Sequence, residues 1–172
     1  MLDHVIAVIG PPAAGKTALT SQLDQRPGHG VFRLQEHLPE ASPAAAAQAE
    51  AYEEIDDFTV IASAHTYIDS IVREGRVQIL LLDGFPGTGT QVSLFLSLLG
   101  QLAPCCVVAA VELVADPVVL AGRGGLLPNY EVRRRRYNEF AEGIRRAFTA
   151  AGIALTRLDT SRSLDESITC MA

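Results

Sequence analysis

Residues 5–17, VIAVIGPPAAGKT, run from five aliphatic residues through a turn of glycine, proline and alanine to a lysine and a threonine. An aliphatic run without polar alternation reads as a strand covered on both faces. Gly10 and Gly15 let the backbone curl. Successive N–H groups, from Gly10 through Ala13, Ala14 and Gly15 to Ala18, can then point into one concavity at the N-terminus of a following helix. Such a concavity binds anions. The spacing G-x-x-x-x-G-K-T, Gly10 to Thr17, lets Lys16 reach the β- and γ-phosphates of a nucleotide while the Thr17 hydroxyl ligates magnesium. A glycine-rich turn without a ligand is the plainer reading of the same residues. Against it, the chain has fourteen basic residues, and its only lysine is Lys16, at the required position.

The rest of the composition sets the frame. A chain of 172 residues has room for one domain with a substantial core, taken as 1–172. Hydrophobic residues make up 48 %, which favours folding over disorder. The net charge of −6 argues against a nucleic-acid polymer or a membrane surface as partner, since both call for a basic excess. Cys105, Cys106 and Cys170 have no metal-ligand spacing. Cys105 and Cys106 would face opposite sides of a strand, and the odd total suits a reduced, cytoplasmic protein. The start, MLDHVIAVIGPP, lacks the basic region and apolar length of a signal peptide. Residues 84–111 carry no charge, but Pro104 interrupts them, so they read as a buried helix plus a buried strand rather than a membrane span. Nothing in the sequence sets an oligomeric state.

Short β-branched runs alternate with helix-like segments. Strands are expected at 4–10, 31–35, 77–83, 105–114 and 153–159. Helices are expected at 16–23, 42–57, 58–74, 91–102, 117–122 and 131–151. Ser42 is a candidate N-cap with Pro43 at the first helical position, and Gly75 ends the helical segment 58–74. The alternation predicts an α/β domain with a parallel sheet flanked by helices. Asp83 closes the run ILLLD, where a carboxylate after four aliphatics needs compensation. Bound magnesium, through a water, supplies it; an Asx-type bond into the next turn is the alternative, and the two can coexist.

The segment DGFP at 83–86, followed by Thr88 and Gln91, resembles the adenylate kinase family of nucleoside monophosphate kinases. Further likenesses are VADPVVLAGR at 114–123, RRYNEF at 135–140 and SLDES at 163–167. The resemblance implies a three-layer P-loop kinase fold, a five-stranded sheet in the order 2-3-1-4-5, an acceptor-binding helical region over about 31–75 and a lid over 123–130. The lid is short, GRGGLLPN. The resemblance also implies that ATP and Mg2+ bind the Gly10–Ala18 turn with Thr17 and Asp83, and that Gln91 reads the acceptor base. Two departures concern the acceptor. Gly87 stands where the family has a phosphate-gripping arginine, and FRLQEHLPEAS at 32–42 lacks the family's second one. Arg33 could substitute from another geometry, and Glu36, His37 and Phe85 fall where the acceptor binds.

Four arginines, 133 to 136, open the long helix. At 100° per residue Val132, Phe140, Ile144 and Ala147 share one apolar stripe; Arg133 and Arg136 project within or near it, Arg134 and Arg135 outside. Arg136 also matches the family's R-L-x-x-Y arginine. Contact with a phosphoryl group in transfer is expected for Arg136, whereas Arg133 reads equally as such a contact or as solvated surface. Arg123 stacks on adenine or reaches a phosphate. The expectation is therefore an ATP-dependent phosphotransferase acting on a nucleotide, nucleoside or related small-molecule acceptor. A nucleotide-binding protein with little catalysis, acting through a partner, is the second expectation.

Overall fold

The aliphatic run before Gly10 lies in β1 (His4–Ile9), and the turn after it opens α1 (Lys16–Asp24). The structure, a computed structural model, describes residues 1–50 and 55–162. After α1 come β2 (His29–Phe32), α2 (Leu34–Ala41), α3 (Pro43–Glu50) and α4 (Asp57–Glu74). Then follow β3 (Ile79–Asp83), α5 (Gly89–Leu102), β4 (Val107–Val114), α6 (Pro117–Gly124), α7 (Tyr130–Ala150) and β5 (Leu155–Asp159). All five strands are parallel, in the order β2-β3-β1-β4-β5. That is the α/β architecture and strand order expected from the sequence.

Helix cover on both faces explains the missing polar alternation in β1 and β3. Val5, Ala7 and Ile9 join Leu80, Leu82 and Ala110 in the larger core, with Val60 and Ile68 of α4, Phe95 of α5, and Ile144 and Phe148 of α7. The opposite face of the sheet holds a smaller core of Val8, Ala14, Leu19, Leu113 and Leu158. Local signals set the helix ends. The Asp56 carboxylate accepts the Thr59 N–H at 2.9 Å, Thr88 Oγ1 accepts the Gln91 N–H at 3.1 Å, and Gly75 ends α4 at φ 68°. Ser42 Oγ accepts from Ala45 N–H at 3.2 Å, as expected of an N-cap before Pro43.

Several boundaries move. β2 starts at His29 and stops at Phe32, because α2 begins at Leu34 and tolerates Pro39 inside it. β4 begins at Val107, so Cys105 and Cys106 precede the strand in a turn where Cys106 N–H bonds Ala103 O at 3.0 Å. Val132 is 51 % exposed and does not belong to the apolar stripe of α7. The buried residues there are Ala141, Ile144 and Phe148. From Tyr130 through Phe140 no residue of α7 is fully buried. The likeness at 163–167, Cys170 and the helical reading of 51–54 lie outside the described residues. Among the described residues no helix is long and apolar enough to cross a membrane.

α5 and α7 cross closely. A Cβ on Gly89 would come within 2.8 Å of the Gly143 carbonyl oxygen, whereas one on Gly100, in the same helix, meets nothing within 4 Å. Gly89→Ala should therefore destabilise the protein by about 1–3 kcal/mol through overpacking. Gly100→Ala should stabilise it by about 0.5–1 kcal/mol by restricting the unfolded chain. Urea unfolding of the two variants checks this; equal effects at both sites would contradict the close crossing.

Candidate functional site

The loop between β1 and α1 is built from backbone that side chains resist. Gly10 has φ 143°, Ala13 φ 68° and Gly15 φ 91°. Gly10 is also obligatory for space, since a Cβ there would sit 2.5 Å from Leu113 O on β4. Ala13 is a non-glycine residue in the left-handed region, which costs about 1–2 kcal/mol. With Gly15 as the residue before α1, the N–H groups of Lys16, Thr17 and Ala18 begin a helix and have no partner within it. Thr17 and Ala18 are exposed and Ala14 is buried. Thr160, just after β5, supports the loop from beneath: its hydroxyl donates to Ala14 O at 2.9 Å.

Lys16 folds back over this loop. Its ammonium donates to Gly10 O and Pro11 O, both at 2.8 Å. It lies over the end of β3, because a Cβ on Gly84 would come within 3.5 Å of Lys16 Cε. Burial lowers the Lys16 ammonium to about 8; the Asp83 carboxylate opposes that shift and the Arg133 guanidinium adds to it. Three of the expected site residues, Lys16, Asp83 and Arg133, thus share one electrostatic field.

Register delivers Asp83, which pairs across the sheet with Val8, two residues before Gly10. Its side chain is 7 % exposed and its Oδ2 accepts from Thr20 Oγ1 at 3.2 Å and Arg33 Nε at 3.3 Å. Arg33 is bound on three sides, with Nη2 on Ser21 Oγ at 2.9 Å and Nη1 on Glu36 Oε1 at 3.4 Å. A single exposed hydroxyl, Thr17, and a single carboxylate, Asp83, form no cage for a metal. With phosphate oxygens and water supplying the remaining ligands, Thr17 and Asp83 would suffice to hold a magnesium ion.

The other expected residues occupy three further settings. Arg123 donates to Thr160 O at 2.9 Å and Arg162 O at 3.3 Å, so it ties α6 to the segment that supports Ala14. Arg136 is half-buried on α7, while Arg134 pairs with Glu131 at the surface at 2.8 Å. Of the residues expected to meet an acceptor, Phe85 is buried between Phe32 and Phe95, and the His37 ring stacks on Phe32 at 5.3 Å. Glu36 is 57 % exposed. Gln91 is 6 % exposed, and its amide is engaged at both ends: Oε1 accepts Gly87 N–H at 2.7 Å and Nε2 donates to Asp57 Oδ1 at 2.8 Å. Asp57 Oδ1 also accepts from Thr88 Oγ1 at 3.2 Å. Beside this knot lies a cavity of about 540 Å³ lined by Ile55, Asp57, Thr88, Thr90 and Phe140.

Sequence reasoning missed a second charged centre. Glu112 on β4 is 1 % exposed, yet Tyr137, Arg145 and Arg157 all donate to it. Burial pushes its carboxyl up, but the hydrogen bonds from Arg145, Tyr137 and Arg157 outweigh that and bring it to about 2. The signal was present: Glu112 is the one charge in VVAAVELV, as Asp83 is in ILLLD. No protein-family model matches this chain, and no curated protein matches it either.

Two measurements test the loop. Because Lys16 is the sole lysine, 13C-lysine labelling gives one Cε resonance, which should titrate near pH 8. Arg133→Gln should raise the midpoint and Asp83→Asn lower it; a wild-type midpoint near 10 would contradict the geometry. The unfolded lysine titrates near 10.4. Between the two values the unfolded chain binds more protons, so this residue makes the protein more stable as pH rises from about 8 to about 10.4. In a separate measurement, Ala13→Gly should raise unfolding free energy by about 0.5–1 kcal/mol, left-handed strain being removed and partly offset by a freer unfolded chain. A loss of stability would count against the strained backbone.

Proposed function

We propose that the protein is an ATP-dependent phosphotransferase of the P-loop kinase type, similar to adenylate kinases. One observation carries the reading: a desolvated lysine lies over a turn of left-handed backbone at a helix N-terminus, within the field of Asp83 and Arg133. A phosphate chain in that turn would take hydrogen bonds from the N–H groups of residues 13–18, and Lys16 would exchange its two carbonyl partners for phosphate oxygens. Magnesium, held by Thr17 and by Asp83 through water, would supply charge neutralisation between phosphates. In the transfer an acceptor hydroxyl oxygen would bond to the γ-phosphorus as the bridging oxygen leaves with ADP and the hydroxyl proton passes to water. Lys16, Arg133 and Arg136 hold the charge that builds on the moving group. The protein contributes position and charge rather than a covalent intermediate.

The acceptor side favours an uncharged hydroxyl, as in a nucleoside or related metabolite, over a monophosphate. Gly87 offers no cation, and the Arg33 guanidinium is already shared among Asp83, Glu36 and Ser21. The cavity beside the Gln91 knot presents the Asp57 carboxylate and two threonines. A carboxylate accepts hydrogen bonds, which suits an acceptor rich in hydroxyl or amino donors.

ADP release measured over nucleosides, nucleoside monophosphates and small polyols tests both parts. Expected is acceptor-dependent turnover, greater with hydroxyl acceptors, that falls at least about 100-fold in Lys16→Ala. Gly87→Arg has room, its Cβ lying 3.4 Å from Gln91 Oε1, and it should lower the KM for monophosphates. Nucleotide binding that depends on Lys16, without turnover on any acceptor, would replace this reading with that of a nucleotide-binding protein acting through a partner.

A further inference from the structure

We propose that Glu112 is a positioning residue, and that with Tyr137 and Arg145 it fixes the rotation and height of α7 so that Arg133 faces the Gly10–Thr17 loop. This role rests on the phosphotransferase reading only for its consequence in catalysis; its structural part stands alone.

The N-terminal half of α7 lacks apolar grip. Full burial starts at Ala141, so the half carrying Arg133 and Arg136 is not seated by a hydrophobic stripe. Within that half, Tyr137 reaches the sheet, its hydroxyl donating to Glu112 Oε1 at 2.8 Å. Arg145 donates to the same carboxylate through Nε at 3.1 and 3.2 Å and through Nη2 at 2.6 Å. The two donors are eight residues apart, about 12 Å along a helix axis. Helical side chains lean toward the N-terminus, so Arg145 reaches back toward the turn that Tyr137 occupies. Two separated anchors on one carboxylate leave the helix neither free to slide nor free to roll.

The anchor point is itself fixed relative to the loop. Glu112 pairs with Ile9, the residue before Gly10, and with Arg157 on β5, whose Nε donates to Glu112 Oε2 at 3.0 Å. Arg133 stands one turn before Tyr137, on the same face of the helix. Stability alone gives a weak reason for this arrangement, because well-packed apolar groups in place of a buried ion pair are often neutral or stabilising. Geometric definition gives a better one.

The test uses the single lysine as a reporter at fixed pH. Arg133→Gln should move the Lys16 Cε resonance. Tyr137→Phe and Glu112→Gln should move it in the same direction, and combining either with Arg133→Gln should add little. Arg157→Gln, which removes the β5 partner but leaves both α7 anchors, should leave it in place. Tyr137→Phe removes one hydrogen bond and keeps the ring, so it serves if Glu112→Gln fails to fold. In the turnover assay, Tyr137→Phe should lower kcat about 10- to 100-fold with little change in nucleotide KM, as expected for a misplaced transition-state group. Folded Tyr137→Phe and Glu112→Gln proteins with the wild-type Lys16 resonance would overturn the proposal. Wild-type protein without turnover would instead count against the phosphotransferase reading, and the resonance pattern would still decide the role of Glu112.

Discussion

Two carboxylates flank the exit of the central strand, one on each neighbour. Asp83 pairs across β3 with Val8, and Glu112 pairs across β4 with Ile9. Both are nearly buried, so each requires compensating charge. The compensation for Asp83 comes from Lys16, Arg33 and Thr20; that for Glu112 comes from Arg145, Arg157 and Tyr137. The loop between them therefore has charged walls held by α1 and β2 on one side and by α7 and β5 on the other. Parallel pairing makes this possible, because it brings every strand's C-terminal end to the same edge of the sheet.

What could be read from the sequence follows from how far apart the partners lie. The glycine motif of the β1–α1 loop is contained in eight successive residues, and Gly10 and Gly15 take the positive φ that glycine admits. The strand ILLLD was legible for the same reason, and the alternation pointed to a parallel sheet, whereas its strand order came only from the family resemblance. Glu112 was not, because its partners lie 25, 33 and 45 residues away and no local period connects them. Val132 shows a different gap. A 100° rule identifies which residues share a face, but it does not say where along the helix the neighbouring layer begins, and on α7 full burial begins at Ala141.

The DGFP turn joins the two problems. Phe85 disappears into the aromatic core, while Gln91 closes the turn from within by bonding Gly87 N–H and Asp57. Sequence likeness assigns Gln91 to recognition of a base. The geometry gives both ends of its amide an internal partner, the second of them 34 residues away in α4. For Gln91 to read a ligand, the Asp57 bond would have to open. With the bond closed, the polar side chains that line the cavity belong to Asp56, Asp57, Thr88 and Thr90. The polar lining of that cavity is then carboxylate and hydroxyl rather than amide.

Ala13 and Lys16 are costly in the same sense. A left-handed alanine stores about 1–2 kcal/mol that glycine would not. A desolvated ammonium resting on two carbonyl oxygens has its affinity for a proton reduced from the ordinary lysine value to about 8. Neither feature strengthens the β1–α1 connection, for which a relaxed turn would suffice. Negative charge in the concavity would offset both, because the helix-opening N–H groups of Lys16, Thr17 and Ala18 would gain acceptors and the ammonium a counter-charge. Strain and desolvation three residues apart share this one remedy, and that is a firmer physical ground for proposing an anion than the spacing of glycines.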